Sequence, residues 1–158
     1  MKYKLRGPIL TTLAFGLIVP AVAQWTVTRL QPPVSQYSRG FGVSDDQQVG
    51  RVALASDHAS LWSGTAKSWV DLNPVGSAQS EANGVSGGQQ VGYAFIGGQI
   101  RASLLSGTAA SWVDLSPAGS TGSRAWGVSG GQQVGSAGVG GQLRASMWSG
   151  TAASWVDL

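Results

Sequence analysis

The sequence predicts an all-β protein, built as a propeller-like array of about three four-stranded antiparallel blades. Two observations carry this prediction. A unit of about 43 residues recurs, because Trp69, Trp112 and Trp155 follow one another at intervals of 43. Each unit also contains short strand patterns separated by glycine-rich turns. Four strands in a repeat of about 40–45 residues are typical of a propeller blade.

The repeats account for nearly all of the chain. Residues 84–115 and 127–158 are identical at 26 of 32 positions, and the copy at 42–72 is one residue shorter. Leu30 and Pro32 align with the end of a further copy. We therefore divide the chain into a signal peptide (1–23), a partial repeat (24–41) and three repeats (42–83, 84–126 and 127–158).

The first 23 residues have the pattern of a secretory signal peptide. Basic residues within 1–6 precede an apolar stretch at 9–19, and Ala21 and Ala23 provide the small residues of a cleavage site. The apolar stretch is about half as long as the roughly 20 residues that a membrane-spanning helix needs. We expect cleavage after Ala23, secretion to the periplasm or the extracellular space, and no stable membrane insertion afterwards.

Cleavage would leave a chain without formal net charge. Three of the 10 basic residues belong to the leader, and the seven that remain balance 7 acidic residues. Nucleic-acid binding therefore has no electrostatic basis in this sequence. The chain contains no cysteine, so packing must stabilise the secreted fold without disulfides.

The second copy shows how the strands follow one another. We predict four strands, at 82–86, 89–96, 99–105 and 111–115. Gly87-Gly88 and Gly97-Gly98 suit two-residue hairpin turns, which need positive φ. Both faces of the third and fourth strands carry apolar side chains, as expected for a blade packed between neighbours. A β-solenoid is the alternative, and three blades are too few to close a propeller ring.

Three short motifs recur along the chain: GVSxxQQVG, [HR]AS[LM][LW]SG and WVDL. They resemble the HAF family of secreted bacterial repeats, whose motifs are G-I-N-x-x-G-x-V-V-G, H-A-F-L-W and D-L-G. The matching residues are Gly84, Val85, Val91, Gly92, His58, Ala59, Leu61, Trp62, Asp71 and Leu72. Departures from the pattern occur at Ser60, Asn73, Ser86, Arg101, Ser116 and Arg144. The resemblance implies an extracellular, propeller-like repeat protein without assigned catalysis.

Two tryptophans are candidate contact residues. Trp62 and Trp148 each lie seven residues before another tryptophan, across the loop between the third and fourth strands. This spacing predicts cross-strand neighbours. Leu105 takes the same place in the second copy. We expect these rings to fill the space between blades, and in a lectin they would instead stack on sugars.

A basic position is the other candidate contact. His58 is the only histidine of the chain, and Arg101 and Arg144 occupy its place in the later copies. A position that accepts histidine and arginine indicates a basic structural site. The expected ion-pair partners lie on the neighbouring strand, at Asp71, Asp114 and Asp157.

The sequence predicts no catalytic, cofactor-binding or metal-binding residues. A lone histidine does not make a hydrolytic triad. Asp45 and Asp46 suit a turn better than a glycosidase pair, because the later copies have Gly-Gly there. Calcium-loop, zinc and phosphate-binding patterns are also missing from the sequence.

We therefore expect a secreted, non-enzymatic repeat protein that acts as a structural or interaction scaffold. One alternative is a lectin-like propeller that binds carbohydrate, with one weak site in each blade. Another is a fragment of a longer repeat array. The expected partners are a protein, a glycan, or further copies of the chain that complete a ring.

Overall fold

The structure is a computed structural model that describes residues 26–158. The predicted signal peptide lies outside the described residues. Within the described range the chain forms three four-stranded antiparallel sheets, which confirms the all-β prediction and is compatible with propeller-like blades. None of the helical turns in this range has the length or apolar character of a membrane-spanning helix.

In each sheet the spatial order of the strands follows the chain. Sheet I contains β1 (Tyr37–Ser44), β2 (Gln47–Ala53), β3 (Asp57–Trp62) and β4 (Val70–Asp71). Sheet II contains β5 (Gln79–Ser86), β6 (Gln89–Ile96), β7 (Gln99–Leu105) and β8 (Val113–Asp114). Sheet III contains β9 (Ser123–Ser129), β10 (Gln132–Val139), β11 (Gln142–Trp148) and β12 (Val156–Asp157).

The hairpin turns form where the paired glycines predict them. Gly87 and Gly88 have φ of 56° and 77° and join β5 to β6. Asp45 occupies the place of Gly87 in sheet I and has a φ of 52°. Its carboxylate accepts a hydrogen bond from Ser44 Oγ at 3.2 Å. Asp45 and Asp46 therefore lie in a turn, where aspartate tolerates positive φ through local hydrogen bonding.

Two strands of sheet II differ from their predicted limits. β5 begins at Gln79 rather than at 82, because the chain already pairs there with Phe95 of β6. β8 has two residues rather than five: a 3₁₀ turn at Ala109–Ser111 with Trp112 as its C-cap delays the start of the strand to Val113, and the strand ends at Asp114. The turn is closed by a hydrogen bond from the Ser111 N–H to the Thr108 carbonyl at 3.2 Å.

The sheets bury apolar residues against one another. We call the face of a sheet that packs on the next sheet its forward face, and the opposite face its rear face. The first core cluster joins the forward face of sheet I to the rear face of sheet II and contains Val49, Ala59, Leu61, Leu72, Ala82, Val85 and Leu105. The second joins sheets II and III and contains Val91, Ala102, Leu104, Leu115, Ala125, Ala137 and Trp148.

A glycine lets the first two strands of each sheet approach closely. In sheet II, a Cβ atom added to Gly92 would lie 1.8 Å from the carbonyl oxygen of Glu81. Gly50 and Gly135 meet the same strand carbonyl in sheets I and III. No side chain fits at this position without moving β5 away from β6.

We expect Gly92→Ala to lower the free energy of unfolding by about 3 kcal/mol, because the added methyl group forces the two strands apart. Urea denaturation would measure the loss. Gly40→Ala is the matched control, since a Cβ there meets nothing within 4 Å and alanine already stands at the equivalent positions 82 and 125. Equal stability of the two variants would contradict the packing described for Gly92.

Candidate functional site: the contacts between sheets

The basic position of each repeat lies on the third strand and pairs with the aspartate of the fourth through a hydrogen bond. His58 Nδ1 is 2.8 Å from Asp71 Oδ2, and Arg101 Nη1 is 2.7 Å from Asp114 Oδ2. Sheet III holds the same pair between Arg144 and Asp157. The expected pairing is therefore present in all three sheets, and it attaches the short outer strand to the strand before it.

The other carboxylate oxygen of the aspartate holds the connector to the next sheet. Asp71 Oδ1 accepts a hydrogen bond from the Asn73 N–H at 2.8 Å. In sheet II, Asp114 Oδ1 accepts one from the Ser116 N–H at the same distance. Asp71 and Asp114 thus each fix both the fourth strand of their own sheet and the start of the following connector.

A buried serine completes this link between sheets. Ser80 lies on β5, yet its hydroxyl accepts a hydrogen bond from the Ala59 N–H of β3 at 2.9 Å. It donates in turn to Asn73 Oδ1 of the connector. Ser123 repeats the arrangement and accepts from the Ala102 N–H at 2.9 Å. One hydroxyl therefore satisfies an edge N–H of the previous sheet inside the interface, where an unpaired polar group would be costly.

A row of charged and aromatic side chains crosses from sheet to sheet. Arg51 Nη1 donates to Asp57 Oδ2 at 2.8 Å and, across the interface, to Glu81 Oε2 at 3.0 Å. At the equivalent place between sheets II and III, the Arg124 guanidinium lies 4.9 Å from the centre of the Tyr93 ring. The two interfaces thus use different pairs at the same positions, an ion pair in one and a cation–π contact in the other.

Burial shifts the pKa of two members of this row, Glu81 and Tyr93. Desolvation raises the pKa of the Glu81 carboxyl above its ordinary value of 4.5, and the nearby Arg51 guanidinium opposes the rise. Desolvation also raises the pKa of the Tyr93 hydroxyl, and the Glu81 charge adds to that effect. Glu81 therefore binds a proton more readily in the folded protein than in the unfolded chain.

The structure buries both candidate tryptophans. Trp148 is 0% exposed and packs between sheets II and III, in the cluster that Trp155 also contacts. Its Nε1 atom has no hydrogen-bond partner among residues 26–158, so the ring contributes by packing. Trp62 is 1% exposed and lies outside both core clusters of the described residues. Neither ring presents an open face to a ligand.

Sequence reasoning missed an exposed tryptophan beside a cavity. Trp126 is 50% exposed. It borders a cavity of about 320 Å³ together with Arg124, Ser136 and Leu143. Gly138 also lines the cavity, and sheet II has Phe95 at the equivalent position. The sequence alone shows this difference between the two copies, but only the structure shows which side chains surround the cavity.

Carboxylates and histidine do not gather into a metal-binding group anywhere in residues 26–158. The three site residues at the basic position lie in separate sheets, each beside its own aspartate. A scan against protein-family models and searches of curated proteins and of solved structures returned no match to this chain. The resemblance to HAF repeats therefore stays a prediction from motifs.

We expect Glu81→Gln to change how stability depends on pH. Because the folded pKa of Glu81 is raised, its contribution favours folding at acidic pH and declines as pH rises from about 4.5 through the folded pKa. The unfolding free energy of the wild type minus that of the variant should therefore fall over this window in urea titrations. Asp46→Asn, at an exposed turn residue, is the control. A difference that rises with pH would contradict the assignment.

Proposed function

We propose that this chain is a secreted, non-enzymatic repeat protein of the HAF type, which acts as an interaction scaffold. The proposal rests on the role of the one side chain in the chain that could act as a histidine general base. His58, the sole histidine, occupies the same ion-pair position as Arg101 and Arg144. Arginine stays protonated at neutral pH and does not serve as a general base. The position thus serves to link strands in every sheet.

The polar residues at the sheet interfaces support the same proposal. The aspartates, the serine hydroxyls of Ser80 and Ser123, and the Arg51–Glu81 pair all bond to protein groups. These contacts fix the sheets relative to one another and leave the turns at their ends exposed for a partner. A rigid support with exposed loops is a common arrangement for binding proteins.

His58→Arg tests the proposal. Arginine keeps the pair with Asp71, so we expect the free energy of unfolding to stay within about 0.5 kcal/mol of the wild type. His58→Leu removes the pair and is the control for the structural role. Both proteins would be assayed against glycoside, ester and peptide substrates. A wild-type turnover that disappears in a fully folded His58→Arg variant would overturn the non-enzymatic proposal.

A lectin-like function is the second candidate, and the cavity beside Trp126 favours it. Its volume of about 320 Å³ lies at the lower end of the range for small-ligand pockets. The exposed Trp126 ring offers an apolar surface for a sugar. Arg124, Ser136 and Thr121 line the same space and provide polar groups. This combination would take one or two sugar units at a single site in sheet III.

Trp126→Ala tests the lectin candidate. If the cavity binds sugar, a glycan array on the wild type should show binding, and the variant should lose at least about tenfold in affinity because the stacking surface is gone. Phe41→Ala is the matched control, since Phe41 is the exposed aromatic residue at the equivalent position of sheet I. A wild type that binds no glycan at millimolar concentration would remove this candidate.

A further inference from the structure

The forward face of sheet III is apolar and open. Val134 is 45% exposed and Leu158 is 70% exposed. Their equivalents in sheets I and II are all 0% exposed: Val49, Val91, Leu72 and Leu115. Ala145 is exposed as well, whereas its equivalents lie in the core clusters. In sheets I and II, a forward face of the same composition is covered by the rear face of the following sheet.

Polar groups on sheet III repeat the pattern that the other forward faces use. Gln47 Oε1 accepts from Gln90 Nε2 of the next sheet, and Gln89 Oε1 accepts from Gln133 Nε2, each at 3.3 Å. Gln132 is the sheet III equivalent and is exposed. Ala145 likewise stands where Ala59 and Ala102 donate their N–H to a serine of the following sheet.

The first strands of the three sheets, β1, β5 and β9, also approach one another closely at a glycine. A Cβ added to Gly42 would lie 3.3 Å from the Gly84 Cα atom, and a Cβ added to Gly84 would lie 3.3 Å from the Gly127 Cα atom. The same addition at Gly127 meets only Val134 of its own sheet, at 3.4 Å. The side of Gly127 that would face a following sheet is therefore open, and a glycine on the first strand of such a sheet would fit there.

Strand β1 carries the complementary groups. Val43 is 71% exposed, although its equivalent Val85 is buried in the first core cluster. Ser38 is partly exposed and corresponds to the serines at 80 and 123 that bridge the sheets. Arg39 corresponds to the residues at 81 and 124 that cross each interface, and it is exposed.

We propose that the forward face of sheet III binds the rear side of β1 in a second copy of this chain. Two copies joined in this way at both ends close into a ring to which residues 26–158 of each contribute three sheets, within the range of about four to eight blades of known propellers. Ser38 accepts from the Ala145 N–H, and Arg39 lies beside Ser136. Trp62 is already buried and is not part of this contact.

The mass of the purified protein tests the proposal first. Light scattering coupled to size exclusion should give twice the mass of one chain at micromolar concentration. Leu158→Asp should raise the dissociation constant at least about tenfold, because it buries an unpaired charge, and should fold normally because Leu158 is 70% exposed. Val75→Asp, at a 98% exposed connector residue, should leave the dimer unchanged. A wild-type monomer, or a dimer insensitive to Leu158→Asp, would overturn the proposal.

A charge swap tests the head-to-tail orientation. Ser136→Arg places a cation beside Arg39 of the second copy and should weaken the dimer at least about tenfold. Adding Arg39→Glu recreates the ion pair that Arg51 and Glu81 form between sheets I and II, and should restore the dimer. Circular dichroism would confirm that both variants fold. Failure of the second substitution to restore association would exclude this orientation, since a contact between two copies of sheet III does not involve residue 39.

Discussion

The structure depends on one constraint: each sheet has two faces that need to be covered. In a sheet with one wet face, apolar and polar residues alternate, but here Leu104 of β7 faces sheet III while Leu105 faces sheet I. Burying a single leucine side chain contributes about 1.5–3 kcal/mol. A sheet of this kind therefore gains stability from a neighbour on each of its faces. The stacking of sheets follows from this two-sided pattern rather than from any feature of the connectors.

Polar contacts at the sheet edges determine how the neighbours sit on one another. Apolar faces alone would let two sheets slide or rotate. A serine on the first strand of sheets II and III accepts an N–H from the previous sheet, as Ser80 does from Ala59. This bond sets which residue of the first strand lies opposite the previous sheet. The aspartate of the fourth strand then holds the connector that leads to this serine. Since a shifted register would leave a buried N–H unpaired, these contacts select one arrangement.

Much of this arrangement could be predicted from the sequence, and the limits have physical causes. The repeat period, the hairpin glycines and strand alternation were enough to predict four-stranded antiparallel units and the pairing of Arg101 with Asp114. The early start of β5 was missed because a bulge at Asn83 interrupts the alternation of its side chains. The cavity beside Trp126 was missed because it depends on which residues of two sheets meet. The sequence shows that the repeats differ at these positions, but it does not show which side chains then lie side by side.

The differences between the second and third repeats follow from their different neighbours. The residues that pair strands within a sheet are largely the same in both, including the arginine, the aspartate and the glycine at 92 and 135. Tyr93, which holds Arg124 of the next sheet, is replaced by serine at 136. Leu105 becomes Trp148, a larger side chain in the cluster between sheets II and III. These two repeats therefore share the contacts within a sheet, whereas the variable positions give each interface different contacts between sheets. That difference is what lets one interface be distinguished from another when sheets of nearly the same sequence pack together.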